Sequence, residues 1–197
     1  MLQRVRAAQP TSRALPYVPL FDTALLPPLE TFQAVLRQMG GEWLDLASPL
    51  DLDAAIRTLF PDAAVICSAA PEAAGTRRAT ATDQAGVMDD VDVGIVRAAF
   101  GVAETGSVWL SEAQLQVNAL GYLAQHLVVL LDPADIVGNL HQAYLKRGFF
   151  EARYAVLMSG PSATADIEGV LIRGAQGVRS LTVIFRARCC LESKRDS

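Results

Sequence analysis

The sequence predicts one α/β domain in three layers, a mainly parallel sheet with helices on both faces. Three observations carry this. Apolar runs of strand length alternate with stretches whose apolar residues recur at helical spacing. The most apolar run, HLVVLL at residues 126–131, lacks polar alternation, as a strand buried on both faces requires. The chain has 197 residues, 51% hydrophobic and 19% charged, enough for one substantial core.

Residues 1–28 read as a short amphipathic helix followed by an extended arm rich in proline, with Pro10, Pro16, Pro19, Pro27 and Pro28. The start is Arg-rich and acid-poor, like a presequence, but short; it reads as a lead-in helix. The single domain is expected over residues 29–188, with a polar tail at 189–197. Phe32, Val35, Leu36 and Met39 fall on one helical face, which Gly40 and Gly41 end. Residues 42–46 form a short strand. Leu52, Ala55, Ile56 and Leu59 make a second helical stripe before Pro61, and residues 63–68 a buried strand.

Residues 70–90 have little apolar pattern and read as loop or weak helix. Strands follow at 91–97 and 107–110, a helix at 114–123 and the buried strand at 126–131. The clearest helical signal comes next. Asp132 is a good N-cap, Pro133 suits the first position, Ile136, Val137, Leu140 and Tyr144 form the stripe, and Lys146, Arg147 and Gly148 close it. A strand at 153–158, a helix carrying Ile167, Val170, Leu171 and Gly174, and a strand at 181–186 complete the alternation.

Composition narrows the functional classes. A formal net charge of −4 gives no reason to expect nucleic acid or anionic membrane as partner. Cys67, Cys189 and Cys190 form no CxxC pair, which argues for a reducing, cytoplasmic setting and against an iron–sulfur or zinc site in this chain. Residues 113–131 lack formal charge, yet Gln114, Gln116, Asn118, Gln125 and His126 make a membrane span unfavourable.

Two glycine-bearing turns follow predicted strands, the end of an open α/β sheet at which ligands bind. In GVAETGSVWL, residues 101–110, Gly101 and Gly106 permit close backbone approach. Glu104, flanked by Thr105 and Ser107, could serve as base, nucleophile or hydroxyl acceptor; equally, the segment could be a hairpin whose Glu faces water. In SGPSATADIEGVLIRGAQG, residues 159–177, the hydroxyls of Ser159 and Ser162 precede a predicted helix N-terminus able to hold a carboxylate or phosphate. Asp166 and Glu168 in its first turn would repel that anion, and simple capping explains the same residues. There is no Walker lysine and no GxSxG elbow. His126 and His141 lack a patterned carboxylate partner, Arg77-Arg78 reads as a solvated loop, and Trp43 and Trp109 as core or core edge.

Together the two turns resemble the LUD (lactate-utilisation) domain family, which includes lactate-utilisation protein C and YkgG-like proteins. GVAETGS matches its G-[IV]-A-E-T-G-[ST] signature, SGPSATADIE its S/T-G-P-S-x-T-A-D-I-E stretch, and HLVVLLDPADIV its apolar strand and capped helix. Gln176 stands where the family often has His and Val178 where it often has Pro; a Pro-Pro pair before the apolar strand is replaced by Leu123-Ala124-Gln125. A glutamine there hydrogen-bonds but does not titrate. The resemblance implies a fold like the NagB/RpiA/CoA-transferase superfamily and a part in oxidising L-lactate to pyruvate beside an iron–sulfur partner protein.

The site it implies comprises Gly101, Glu104, Thr105, Gly106 and Ser107, facing Ser159, Gly160, Pro161 and Ser162 across a common cleft, with Thr164, Asp166, Glu168, Gly174, Gln176 and Gly177 beside them. The expected role is an accessory subunit binding a small carboxylate, an acyl ligand or a partner's segment. The alternatives are an acyl- or CoA-transferase using Glu104 and a purely protein-binding regulatory module. No metal or cofactor is expected, and a homo-oligomer stays open.

Overall fold

A computed structural model describes residues 2–10, 13–46, 52–146, 148–166 and 168–188. Cys189, Cys190 and the tail, Arg147 and Ile167 lie outside the described residues. The apolar run at 126–131 is β7 (His126–Leu131) and lies inside a six-stranded sheet. Its neighbours are β12 (Ser180–Phe185) and β4 (Val93–Arg97), both parallel, with His126 opposite Ser180 on one side and Val93 on the other. Outward from these lie β1 (Glu42–Asp45) beside β12, and β2 (Ile66–Ser68) then β3 (Arg77–Arg78) beside β4, again parallel. The α/β class predicted from periodicity is the one observed.

Alternation along each strand sorts the core into two layers. Val128, Leu130, Ile95 and Ile184 face α3 (Leu52–Leu59), which buries Leu52 and Ile56 against them. Val129, Leu131, Val183 and Phe185 face the opposite way, toward α2 (Pro28–Gln38) and its buried Phe32 and Leu36. Phe32 meets Phe185 edge-on, with ring centroids 6.0 Å apart. Leu115 and Leu120 complete this second layer from two single helical turns, α4 (Glu112–Leu115) and α5 (Leu120–Leu123). One helix over 114–123 was expected. Ser111 and Gln114 form a capping box that starts α4, and Gln116, at φ 61°, ends it.

Over α2 lies a second sheet in the order β8 (Ile136–Val137), β5 (Phe100–Val102), β6 (Ser107–Ser111), β9 (Ala155–Met158). β5 and β6 form an antiparallel hairpin, so the first signature turn is a hairpin loop. Phe100 stacks on Trp109 within it, at 5.3 Å.

Two predicted helices are absent. The helix predicted from Asp132 to Gly148 does not form. Asp132 does cap, with the Ala134 N–H donating to its Oδ1 at 3.0 Å, but the turn it starts is a three-residue 3-10 turn, Pro133–Asp135. Ile136 and Val137 then pair with Gly101 and Val102, and the chain re-enters helix as single turns, α6 (Leu140–Ala143) and α7 (Gly148–Glu151). β-Branched residues meeting an open strand edge gain ladder hydrogen bonds that outweigh the helical pattern. The helix predicted after SGPS is also absent. β10 (Ala163–Thr164) and β11 (Ile172–Arg173) form a small antiparallel hairpin, with Glu168 at φ 54° and Gly169 at φ 70° between them. Val170 and Leu171 are 59% and 61% exposed, so the supposed stripe has no surface to bury against. Residues 70–90, read as loop or weak helix, hold a 3-10 turn, Ala85–Met88, and in addition the short strand β3.

Ahead of the domain, α1 (Leu2–Ala7) buries no residue, and residues 13–22 have no helix or strand. No helix among the described residues is long and apolar enough to cross a membrane.

Candidate functional site

Both signature turns close around the end of α2. Gly106 has φ +57°, and a Cβ there would sit 2.5 Å from the Leu36 backbone nitrogen. Gly160 has φ +71°, and its Cβ would sit 2.5 Å from the Met39 carbonyl oxygen. Side chains are excluded at both positions by conformation and by contact with backbone. The two turns also touch each other: the Ser159 hydroxyl donates to the Thr105 carbonyl. Thr105 and Ser107 pair through their hydroxyls.

Glu104 is exposed, and its Oε2 accepts the Leu140 N–H at 3.0 Å. Together with Asn139, whose Oδ1 accepts the Gln142 N–H at 2.9 Å, it caps α6. The Glu104 N–H donates to the Gly138 carbonyl at 3.0 Å, which fixes the turn against the same segment.

The common cleft expected between the turns is in fact two cavities. Glu104 lines one of about 460 Å³ with His141, Thr31 and the arm residues Phe21 and Leu25. The arm is held there by Asn139, whose Nδ2 donates to the Leu20 carbonyl at 2.7 Å, and by Phe21, whose ring lies 4.8 Å from that of His141. The other, of about 250 Å³, is lined by Ser159, Gly160, Pro161, Ser162, Gln176 and Gly177, with Tyr122 at its rim. Its wall is closed by Gly174 N–H donating to the Ser162 carbonyl at 2.8 Å and Ser162 N–H donating to the Val178 carbonyl at 3.0 Å. Burial and the Tyr122 hydroxyl push the Tyr154 phenol up to about 12, so Tyr154 stays neutral. This cavity offers hydrogen bonds but no formal positive charge.

The remaining sequence candidates fall outside both cavities. Gly101 lies within β5, opposite Val108 and Ile136. Thr164 is in β10 and its hydroxyl accepts the Asp166 N–H at 3.3 Å; Asp166 and Glu168 are exposed on the hairpin. With no helix behind SGPS, the expected anion cradle at a helix N-terminus is absent. Cys67 is a buried thiol whose titration burial pushes up, which makes it a poor nucleophile. Among the described residues no group of three or more His, Cys, Asp or Glu side chains is placed to hold a metal ion.

Sequence reading missed the residues at the carboxyl ends of the parallel strands. Arg97 ends β4 opposite Leu130, on the face that carries Ile95 and Leu130 toward α3, and Arg186 follows β12, two positions beyond Ile184 of that same face. Arg97 Nε pairs with Glu72 Oε1, and its Nη1 donates to the Arg186 carbonyl at 3.2 Å. A visible signal existed: Arg97 is a charged residue closing an otherwise apolar run.

Comparison with known proteins agrees with this architecture. The LUD domain profile matches residues 32–185. A crystal structure of a DUF162 family protein from Deinococcus radiodurans superposes with a TM-score of 0.60 at 18% identity, covering 80% of this chain and 94% of that one. Uncharacterized protein NMB1437 of Neisseria meningitidis serogroup B is 30% identical over 98 residues, 48% of this chain and 42% of that protein. The chain thus matches less than half the length of that relative. With the profile spanning both signature turns and every strand from β1 to β12, the chain belongs to the LUD domain family.

Proposed function

We propose that this chain is an accessory, small-carboxylate-binding subunit of a cytoplasmic system that oxidises L-lactate to pyruvate, acting with an iron–sulfur partner protein. One observation carries the choice of a binding role over a catalytic one. Polar groups of the signature turns are committed to internal hydrogen bonds: Glu104 to the Leu140 N–H, Ser159 to the Thr105 carbonyl, Thr105 to Ser107. A nucleophile needs an adjacent base and an open approach. Here the lone carboxylate caps a helix, and no histidine, lysine or second carboxylate hydrogen-bonds to it among the described residues. Membership of the LUD domain family supports this metabolic setting.

Deleting the gene in a strain without a paralogue should impair growth on L-lactate while leaving growth on pyruvate intact; equal growth on both refutes the reading. The transferase alternative is tested separately, with acyl-CoA and free acids as substrates. Turnover lost in Glu104→Gln would replace the accessory role with an enzymatic one.

A further inference from the structure

We infer that the cavity at the amino ends of β4, β7 and β12 binds a zwitterion of the amino-acid class with an apolar side chain. Arg179 takes its carboxylate, Asp92 its ammonium group, and Phe60 with Leu59 and Pro61 its side chain. The cavity has a volume of about 450 Å³ and shares no lining residue with either cavity of the signature turns. Small-molecule sites fall in the same range, roughly 300–1,000 Å³, and combine apolar walls with a few convergent polar groups.

Three neighbouring strands and the end of a helix build the wall. Asp92 stands one position before β4, His126 opens β7, and Arg179 stands one position before β12; Leu59 ends α3, and Phe60 and Pro61 follow it. Backbone bonds tie these positions together. The Arg179 N–H donates to the Gln125 carbonyl at 2.7 Å, the His126 N–H to the Asp92 carbonyl at 2.8 Å, and the Asp92 N–H to the Val65 carbonyl at 3.0 Å. Side chains are set as well. Asp92 Oδ2 accepts the N–H groups of Ala64 and Val65 at 2.8 and 2.9 Å, which leaves Oδ1 without a hydrogen bond among the described residues. Ser180 orients the His126 ring, which lies 4.8 Å from the ring of Phe60.

Charge decides the ligand class. Arg179 lines this cavity with two carboxylates, Asp62 and Asp92, yet among the described residues no ion pair within 4.0 Å joins it to either. Opposite charges held apart around one cavity are bridged by a molecule that carries both signs. Burial and Arg179 hold the His126 imidazole below its ordinary value, so it is neutral at pH 7 and adds no second cation. A simple anion would meet one arginine against two carboxylates, and a simple cation would meet the arginine unpaired. The guanidinium fork matches a carboxylate. Among the described residues Asp62, Asp92 and His126 are not placed to hold a metal ion. This site is independent of the lactate-oxidising role proposed above.

Calorimetric titration of the full chain at pH 7 with L-phenylalanine and L-leucine tests this, beside L-phenylalaninamide, which lacks the carboxylate, and 3-phenylpropionate, which lacks the ammonium group. At least one of the two amino acids should bind saturably, and both analogues about tenfold or more weakly. Arg179→Gln should weaken the amino acid about tenfold, whereas Arg4→Gln, in the exposed α1, should leave it unchanged. Asp92→Asn should weaken the amino acid without weakening 3-phenylpropionate. Should Asp92→Asn fail to fold, the two analogues on the unaltered chain still decide the class. No saturable binding of either amino acid, or binding unmoved by Arg179→Gln, overturns the site. Binding of 3-phenylpropionate as tight as that of L-phenylalanine replaces the zwitterion with an anion, and equally tight L-phenylalaninamide replaces it with a cation; either overturns the inference.

Discussion

Five of the six residues of β7 are buried in the parallel sheet, whereas no residue of β9, at the edge of the smaller sheet, is fully buried. The first sheet is held by apolar area on two faces. The second buries β5 and β6 too, with Phe100 stacked on Trp109, but its loops are fixed by close contacts: Gly106 and Gly160 pressed on the α2 backbone, Glu104 and Asn139 capping α6, and the Ser159–Thr105 link. Apolar area tolerates many sequences of similar volume, whereas close backbone approach tolerates almost none. The signature residues gather in the second region, and their positions there are explained first by packing.

Substitutions can break this comparison at either end. Leu130→Ala, in the parallel sheet, removes a fully buried side chain between β4 and β12 and should cost about 3 kcal/mol. Urea unfolding would show it as a lower midpoint at unchanged slope. Gly106→Ala should cost about 2 kcal/mol, because a methyl group would meet the Leu36 nitrogen at 2.5 Å in a left-handed conformation. Hydrogen exchange should place the loss mainly in residues 100–111 and α2; a uniform loss over both sheets would show the regions to be one cooperative unit.

Asn139→Ala should cost about 1 kcal/mol as a lost cap. It also releases the arm carbonyls of Leu20 and Phe21, so limited proteolysis should cut the arm faster while sparing the domain. Glu104→Ala should cost about 0.5 kcal/mol, since Asn139 still caps the turn; a melting temperature unchanged within error would remove Glu104 from the capping scheme.

The smallest effect concerns pH at the amino ends of the parallel strands. His126, hydrogen-bonded to the Ser180 hydroxyl at 2.7 Å, is held below its ordinary value by burial and by Arg179, against the opposing pull of Asp92. The unfolded chain then binds this proton first, so the contribution is present above the unfolded value near 6.5 and is lost as pH falls through it. His126→Gln should flatten the loss of stability between neutral pH and pH about 5. An identical pH profile in the variant would assign that loss to other groups.

How much was legible follows the same division. β7, β4, β12, α2 and α3 were readable because each buries its own pattern along its own length. The segment after Asp132 carries a cap, a proline and a stripe, yet Ile136 and Val137 pair with β5. Nothing local records that an open strand edge lies beside them. Likewise the Glu104 turn was readable as a motif, but its bond to Leu140 and its separation from the Ser159 cavity depend on where α6 begins. Arg97 and Arg186, 89 positions apart, meet only because β4 and β12 flank the same strand.

By itself the sequence determined the class, the parallel strands and the two signature turns, because burial on two faces and the chemistry of glycine are written residue by residue. Tertiary structure decided which strand edges captured predicted helices, which polar groups were spent on capping and which partners the arginines at the strand ends found. Those outcomes are set by contacts between segments far apart in the chain, where the free energy of pairing overrides local preference.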